Sequence, residues 1–335
     1  MTDLFEGKTI LVTGGTGSIG SQLVKELLTF NVHKIIVFSR DEISQFIMQR
    51  KLNDERIDFV VGDVRDYRSI QRVFESFNID IVYHAAAMKH VTVCESNPLE
   101  AVKTNILGTQ NLVDLAKKNG ISKFITISTD KAVNPSNVMG ATKFIAEKIT
   151  LVANYSCVRF GNVAGSRGSV IPVLLNEMIT RKKITITDPN VTRFVMSIPE
   201  AVKLIIEATK YAKGGEVFVL KMESFKLSDI VDVLINNIAS RLGINGKEIK
   251  IEIIGLVSGE KLHEELISDL EIHNLHDLGE MWMIAPQKTN AVTSGSVDLK
   301  YTSDRVKSIT KEKLIEIIEE FLKQSSISIF TNRNY

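Results

Sequence analysis

Between the apolar run at residues 9–13 and a helical pattern at 21–30 stands Gly14-Gly15-Thr16-Gly17-Ser18-Ile19-Gly20, a G-x-x-G-x-x-G turn. A glycine turn between a buried strand and a helix commits the chain to the start of a dinucleotide-binding unit. Gly14 permits a tight turn, Gly17 lets a pyrophosphate approach the backbone, and Gly20 lets helix lie close on strand. The helix N-terminus then presents N–H groups and the positive end of its dipole to phosphate. Thr16, Ser18 and Ile19 therefore join the three glycines as cofactor contacts.

The alternation of strand and helix continues downstream. Strands are predicted at residues 34–38, 57–61, 79–84, 123–127 and 156–160, and helices at 66–77, 98–119 and 138–153. Alternation of this kind predicts an α/β fold, a doubly wound parallel Rossmann sheet. After residue 160 the regularity fades into a strand at 184–187, a helix at 199–212 and a strand at 217–220. Helices follow at 227–242, 260–266 and 311–324. The pattern divides the chain into a cofactor domain, 1–163 plus about 188–220, and a smaller α/β C-terminal substrate lobe, about 164–187 and 221–325. A polar tail, 326–335, follows.

A net charge of +1 over 335 residues gives no electrostatic case for nucleic acid or an anionic membrane as partner. No apolar run approaches a membrane span, and residues 1–6 lack the basic start of a signal peptide, so a cytoplasmic protein is expected. Cys94 and Cys157 are too few for a disulfide framework and make a poor metal site. Small buried hydrophobes are the expectation for both.

At the end of the second strand stands Ser39-Arg40-Asp41. An NAD-specific chain would place an acid first, to hold the ribose 2′-hydroxyl. Ser39 and Arg40 suit a 2′-phosphate instead, by hydrogen bond and planar cation. NADP is therefore favoured over NAD, the alternative being that Asp41 takes the ribose. Asp63 is placed to accept from the adenine amino group, with Val64 beside it. Ala85, Ala86 and Ala87 let backbone touch the dinucleotide, and Lys89 follows directly.

Ser128-Thr129-Asp130-Lys131 sets an acid and a base side by side at a strand's carboxyl end, where open α/β sheets bind ligands. Lys143 lies one helical turn after Met139. A short-chain reductase would carry Tyr at 139, forming Tyr-x-x-x-Lys. Methionine transfers no proton, so the proton work falls to Asp130 and Lys131.

Together these stretches, with NPLEAVKTN, MGATK, RFGNVAGSRGSVIP, TRF and SGEKLHE, resemble the extended short-chain dehydrogenase/reductase superfamily over nearly the whole chain. Within it they resemble UDP-N-acetylglucosamine 4,6-dehydratases of the pseudaminic-acid and capsule polysaccharide type. The Thr-Asp-Lys step is the most specific motif, since nucleoside-diphosphate-glucose dehydratases carry Thr-Asp-Glu there. The resemblance implies a redox-neutral reaction: oxidation at carbon 4 of the sugar, loss of water across carbons 5 and 6, and hydride return to carbon 6. It implies Asp130 as acid for the leaving hydroxyl, Lys131 as base at carbon 5, and Thr129 on the carbon 4 oxygen. Asp130 or Lys131 takes the carbon 4 proton, and Lys143 and Asn105 join the cofactor contacts. On the substrate side it implies Lys89, Asn162, Arg167, Ser169, Val170, Thr185, Thr187, Arg193 and Glu260, with Thr185 to Thr187 bracketing uracil, Arg193 clamping pyrophosphate and Glu260 meeting the uridine ribose. Val257-Ser258 departs from the Arg-Pro that such sequences carry. Met139 matches the capsule-type and membrane-anchored branches. Retention at carbon 5 is slightly favoured over inversion. A homo-oligomer, dimer or hexamer, is expected through helices 98–119 and 138–153. A nucleotide-sugar 4-epimerase or 4-reductase would share the cofactor and UDP sites, and an inactive NADP sensor would share only the first.

Overall fold

The structure is a computed structural model and describes residues 4–166, 168–286 and 300–325. In chain order the strands are β1 (Thr9–Thr13), β2 (Lys34–Ser39), β3 (Ile57–Val61), β4 (Ile81–His84), β5 (Lys123–Ile127), β6 (Ser156–Arg159), β7 (Asn162–Val163), β8 (Lys183–Ile186), β9 (Thr192–Met196), β10 (Val217–Leu220), β11 (Glu223–Lys226), β12 (Lys250–Ile253), β13 (Leu275–Asp277) and β14 (Met281–Ile284). The α-helices are α1 (Ser18–Leu27), α2 (Glu42–Leu52), α3 (Tyr67–Ser76), α4 (Val91–Ser96), α5 (Pro98–Ala101), α6 (Gly108–Lys118), α7 (Val138–Val152), α8 (Val170–Arg181), α9 (Ile198–Tyr211), α10 (Leu227–Val233) and α11 (Lys311–Ser325).

Two units share the chain: Met1–Phe160, Pro199–Lys221 and Glu265–Lys300 form the first, and Gly161–Ile198, Met222–Glu264 and Tyr301–Tyr335 the second. The first holds a nine-stranded sheet of order β13-β14-β10-β6-β5-β4-β1-β2-β3. Strands β1 to β6 and β10 run parallel, and β14 and β13 add antiparallel at one edge. The parallel strands are mostly apolar, as expected where helices cover both faces of a sheet. On one face Leu11, Ile36, Phe38, Val82 and Phe124 meet Ile70 of α3 and Leu112 of α6. Each such side chain contributes about 1.5–3 kcal/mol by leaving water. The second unit has a β11-β9-β7 sheet and a β12-β8 pair, with a core of Leu174, Met178, Ile184, Ile230, Leu234 and Ile318.

Several elements differ from expectation. The first helix starts at Ser18, inside the glycine turn, and buries Leu23, Val24 and Leu27. The predicted helix 98–119 is broken by a wide π-type turn at Val102–Leu107. Such turns arise where a side chain takes over backbone groups or a neighbour crowds the helix. Here Asn105 binds Met88, and Gly108 sits against Val64. The predicted helix 227–242 likewise passes into a π-type turn at Leu234–Ile238. The predicted helix 260–266 is irregular: Leu262 O accepts from Thr192 N, and Glu264 N donates to Ser303 Oγ, so neighbours take its backbone groups. The unit boundaries also shift. β9, expected in the cofactor domain, belongs to the second unit because it pairs with β7 and β11. Residues 265–286, expected in the substrate lobe, return to the first because β14 pairs with β10. The predicted tail, 326–335, lies outside the described residues. Both cysteines are free and buried. Among the described residues no helix is long and apolar enough to cross a membrane.

Candidate functional site

β1 and β4 are neighbours in the sheet but not in sequence, so the strand order reverses between them. Ligands bind beyond the carboxyl ends of strands at such a point. Gly14 opens the turn there at φ +64°, in the left-handed region, and donates to Phe38 O at 2.8 Å. A Cβ on Gly14 would lie 2.7 Å from Ala86 N, and one on Gly20 2.3 Å from Gly14 O. Both positions exclude a side chain. Gly17 is the N-cap of α1, and no side chain caps the helix. A backbone turn of this form at a helix start fits a pyrophosphate.

Ser39 is buried and accepts from Gln45 Nε2 at 3.0 Å. Arg40 is largely exposed, 3.6 Å from Asp63. Asp41 caps α2, accepting from Ser44 N at 3.0 Å and Ser44 Oγ at 2.5 Å. Its carboxylate is thus committed to the helix. Asp63, placed for adenine, accepts a fork from Arg65 at 2.7 and 2.9 Å. Partial burial works against its charge, but Arg65 and Arg40 hold its carboxyl below the usual range. The Val64 side chain lies in the core, so only its backbone is available for contact.

The turn Ser128–Lys131 is clamped to β6 and the residue after it: Ser128 N donates to Val158 O at 2.7 Å, and Asp130 N to Phe160 O at 3.1 Å. Asp130 is fully buried. Its Oδ1 accepts from Thr129 Oγ1 at 2.7 Å, Lys131 N at 2.9 Å and Lys131 Nζ at 3.1 Å. Its Oδ2 is buried with no hydrogen-bond partner. Beneath the turn, a Cβ on Gly140 of α7 would lie 2.1 Å from Lys131 O. Lys143, also buried, donates to Ile127 O. Burial lowers its pKa, against the opposing pull of Cys157 and Glu147.

Two predicted site residues serve as scaffold. Met139 is buried with Cys94, Ala101, Met88 and Val91, an apolar nook that transfers no proton. Asn105 is buried, accepts from Met88 N at 2.8 Å, and donates to Met88 O at 3.0 Å and Thr142 Oγ1 at 2.9 Å. Its amide holds the β4 loop, which carries exposed Ala87 and Lys89, against α7.

Sequence reasoning passed over His84, although a histidine ending an apolar strand was a signal. Thr109 Oγ1 donates to Asn105 O at 2.6 Å, so it accepts from His84 Nε2 at 2.9 Å. His84 Nδ1 then accepts from Thr13 Oγ1 at 2.8 Å. Burial, and then the Lys143 charge, push its pKa down to about 3. A neutral imidazole in one fixed tautomer thus joins β1, β4 and α6.

In the second unit, Asn162 lies in β7, and Ser169 is the N-cap of α8, whose first residue is Val170. Ser169 Oγ is buried with no partner and does not cap its helix. Arg193, Glu260 and Thr187 form one cluster. Arg193 Nη2 donates to Glu260 Oε1 at 2.8 Å, and Thr187 Oγ1 to the same oxygen at 3.2 Å. Arg193 thus carries its own counter-charge, with Glu264 a further 3.9 Å ion pair. The predicted backbone bracket is partly committed: Thr185 N donates to Glu177 Oε2 at 2.9 Å, and Thr187 O accepts from Gly255 N at 2.9 Å. His263 Nδ1 pairs with Thr192 Oγ1 at 2.8 Å. Arg167 lies outside the described residues.

The nine-stranded sheet, its glycine turn and the lysine helix define a Rossmann fold of the extended short-chain dehydrogenase/reductase type. Residues 10–286 match the polysaccharide biosynthesis protein family, and the chain belongs to it. It is 47% identical to an uncharacterized membrane protein of Methanocaldococcus jannaschii, over 96% of this chain and 98% of that one. It is 40% identical to the UDP-N-acetylglucosamine 4,6-dehydratase (inverting) of Campylobacter jejuni, over 84% of each. Rickettsia bellii sequences named UDP-glucose 4-epimerase are 38% identical over 96% of this chain and 93% of theirs. The X-ray structure of Pen from Bacillus thuringiensis superposes with a TM-score of 0.86 at 40% identity, covering 95% of this chain and 99% of that one.

Proposed function

We propose that the protein is a UDP-N-acetylglucosamine 4,6-dehydratase using a nicotinamide dinucleotide, NADP in preference to NAD. The observation that carries this is the Thr129-Asp130-Lys131 cluster, a buried acid touching a lysine, with one carboxylate oxygen unpartnered. The resemblance to a named dehydratase supports the substrate.

A bound dinucleotide would supply a hydride acceptor for carbon 4 and return that hydride to carbon 6. Gly14, Thr16, Gly17, Ser18, Ile19 and Gly20 hold the pyrophosphate. Ser39 and Arg40 hold the 2′-phosphate, Asp63 and the Val64 backbone the adenine, and Ala85, Ala86, Ala87 and Lys89 the remaining face. Lys143 holds the nicotinamide ribose. The UDP-sugar takes Asn162, Arg167, Ser169, Val170, Thr185, Thr187, Arg193 and Glu260, the unpartnered Ser169 hydroxyl facing a phosphate oxygen.

The proton account closes on two groups. Asp130 Oδ2 takes the proton of the carbon 4 hydroxyl while Thr129 steadies that oxygen. Lys131, acting as a free amine, takes the proton of carbon 5, made acidic by the new ketone. Asp130 gives its proton to the carbon 6 hydroxyl, which leaves as water. Lys131 then returns its proton to carbon 5 as hydride reaches carbon 6.

Incubating the protein with UDP-N-acetylglucosamine in D₂O, without reductant, is expected to yield product lacking one water, deuterated at carbon 5, with no net NADPH change. Ring couplings at carbon 5 distinguish retention from inversion. An isomer of unchanged mass would establish the epimerase reading that the Rickettsia names favour. Dinucleotide binding without turnover would establish the sensor. For the cofactor, Arg40→Ala is expected to weaken NADP about tenfold while leaving NAD unchanged, since one charge-assisted phosphate contact is lost. Calorimetric titration checks this, and equal loss for both would defeat the NADP preference. Exposed Leu99, Leu107, Phe144, Ile145 and Val152 on and near α5 to α7 support a homo-oligomer through those helices.

A further inference from the structure

Behind Lys143 lies a chain of alternating charge, buried except at its partly exposed far end, Glu271, that the proposed reaction does not use. Arg159, at the end of β6, is 2% exposed. It donates to both oxygens of Glu147 on α7, Nε to Oε1 at 3.1 Å and Nη2 to Oε2 at 2.7 Å. It also donates to both oxygens of Glu271, at 3.0 Å each, and to Leu266 O at 2.9 Å. Ser268 binds Glu271 Oε2 through its N–H at 2.8 Å and its hydroxyl at 2.9 Å. Glu147 sits one helical turn after Lys143, on the same face of α7. The chain therefore reads Lys143, Glu147, Arg159, Glu271, two cations and two anions in alternation.

A single buried guanidinium between two carboxylates divides its charge between them. Without Glu271, Arg159 would balance Glu147 alone, and the Lys143 ammonium would feel less of the negative charge one turn along α7. We propose that Glu271 is a positioning residue that acts through Arg159 and Glu147 to keep Lys143 protonated. This makes the segment Glu265–Glu271 part of the active site's electrical design, although it touches none of the reacting groups. Asn134, just past the catalytic turn, donates to Glu265 Oε2 at 2.7 Å and fastens the other end of that segment.

The remaining charged or titratable groups around Lys143 do not supply this function. His84 from β4 is neutral, and the Cys157 thiol from β6 is pushed far up by burial. Asp130 and Lys131 of the catalytic turn pair with one another. Glu95 of α4 accepts from Val138 N at the start of α7, more than a turn from Lys143. Burial alone lowers the Lys143 pKa. Cys157 and Glu147 oppose that effect, and the share from Glu147 depends on how much of Arg159 it must balance.

The test reads Lys143 directly in the ligand-free protein, so it does not depend on the dehydratase reading. In protein carrying ¹³Cε-lysine, the Lys143 signal is the one missing from Lys143→Arg. Its titration midpoint is expected to fall by about one pH unit in Glu271→Gln, the size expected for losing one nearby charge in a protein interior. Glu271→Asp keeps the charge and is expected to titrate like the parent, even where its melting temperature falls. An unchanged midpoint in Glu271→Gln, with only a lowered melting temperature, would overturn the proposal and leave Glu271 a structural latch. A midpoint shifted equally in Glu271→Asp would overturn it too, because geometry rather than charge would then be at work. If Glu271→Gln does not fold, Glu147→Gln must lower the midpoint by at least as much, and failure to do so is equally decisive.

Discussion

Asp130→Asn is expected to reduce turnover of UDP-N-acetylglucosamine by about 10³-fold or more while the protein keeps its fold and its dinucleotide affinity. One positioned acid or base contributes about 10²–10⁴-fold, and this carboxylate is assigned two transfers, from the carbon 4 oxygen and to the carbon 6 oxygen. Asparagine matches it in shape. It retains an oxygen to accept from Thr129 Oγ1 and Lys131 N, which bind the acid at 2.7 and 2.9 Å. Lys131 loses its anionic partner but is 19% exposed and can turn to water, so the cost of an orphaned buried charge is largely avoided. Single-turnover mass spectrometry separates the two duties. A variant that forms the 4-keto sugar but retains its carbon 6 oxygen has lost only the acid. Undiminished water loss would remove Asp130 from the mechanism.

Gly140→Ala is the second large expected effect, and it acts without touching any chemical group. The added methyl would lie 2.1 Å from Lys131 O and 3.0 Å from Lys131 C. Backbone, unlike the tip of a flexible side chain, cannot swing aside, so either α7 retreats or the turn carrying Lys131 lifts. Overpacking of this kind costs about 1–3 kcal/mol in stability. The kinetic effect should be larger in proportion, because a displacement near 1 Å at a reacting group can cost about 10²-fold. The signature is a kcat lowered about a hundredfold with dinucleotide affinity nearly intact, since the glycine turn at β1 lies on another strand. Steady-state kinetics beside a binding titration checks it. A kcat within threefold of the parent would show that the turn tolerates movement.

What the sequence discloses depends on whether a feature is local. β1 and β5 fall where the apolar runs place them, and the glycine turn closes as its spacing demands. The acid, the lysine and Thr129 converge as three consecutive residues must. The features that eluded prediction are set by distant partners. The π-type turn at Val102–Leu107 follows from Asn105 binding Met88, and the irregular 260–266 stretch from Thr192 and Ser303. β9 reads as a first-unit element because it follows that unit's pattern, but hydrogen bonds to β7 and β11 decide its place. The ion pair of Arg193 with Glu260, residues assigned separate tasks, was equally invisible, because 67 positions separate them.

The order of strands in the large sheet also bears on how the chain is made. β6 pairs on one side with β5 but on the other with β10, and β10 in turn with β14. Between these strands the chain departs twice into segments of the second unit. A ribosome releasing residues in order therefore exposes the open edge of Cys157, Val158 and Arg159 until Val217–Leu220 emerges. The edge of β10 then stays open until Met281–Ile284 follows. Unpaired apolar edges recruit other strands, and pairings this distant are slow to form. The nascent protein is thus most prone to aggregate late in synthesis. Chains cut between β10 and β14 should depend on chaperones, although they carry every residue assigned to the cofactor.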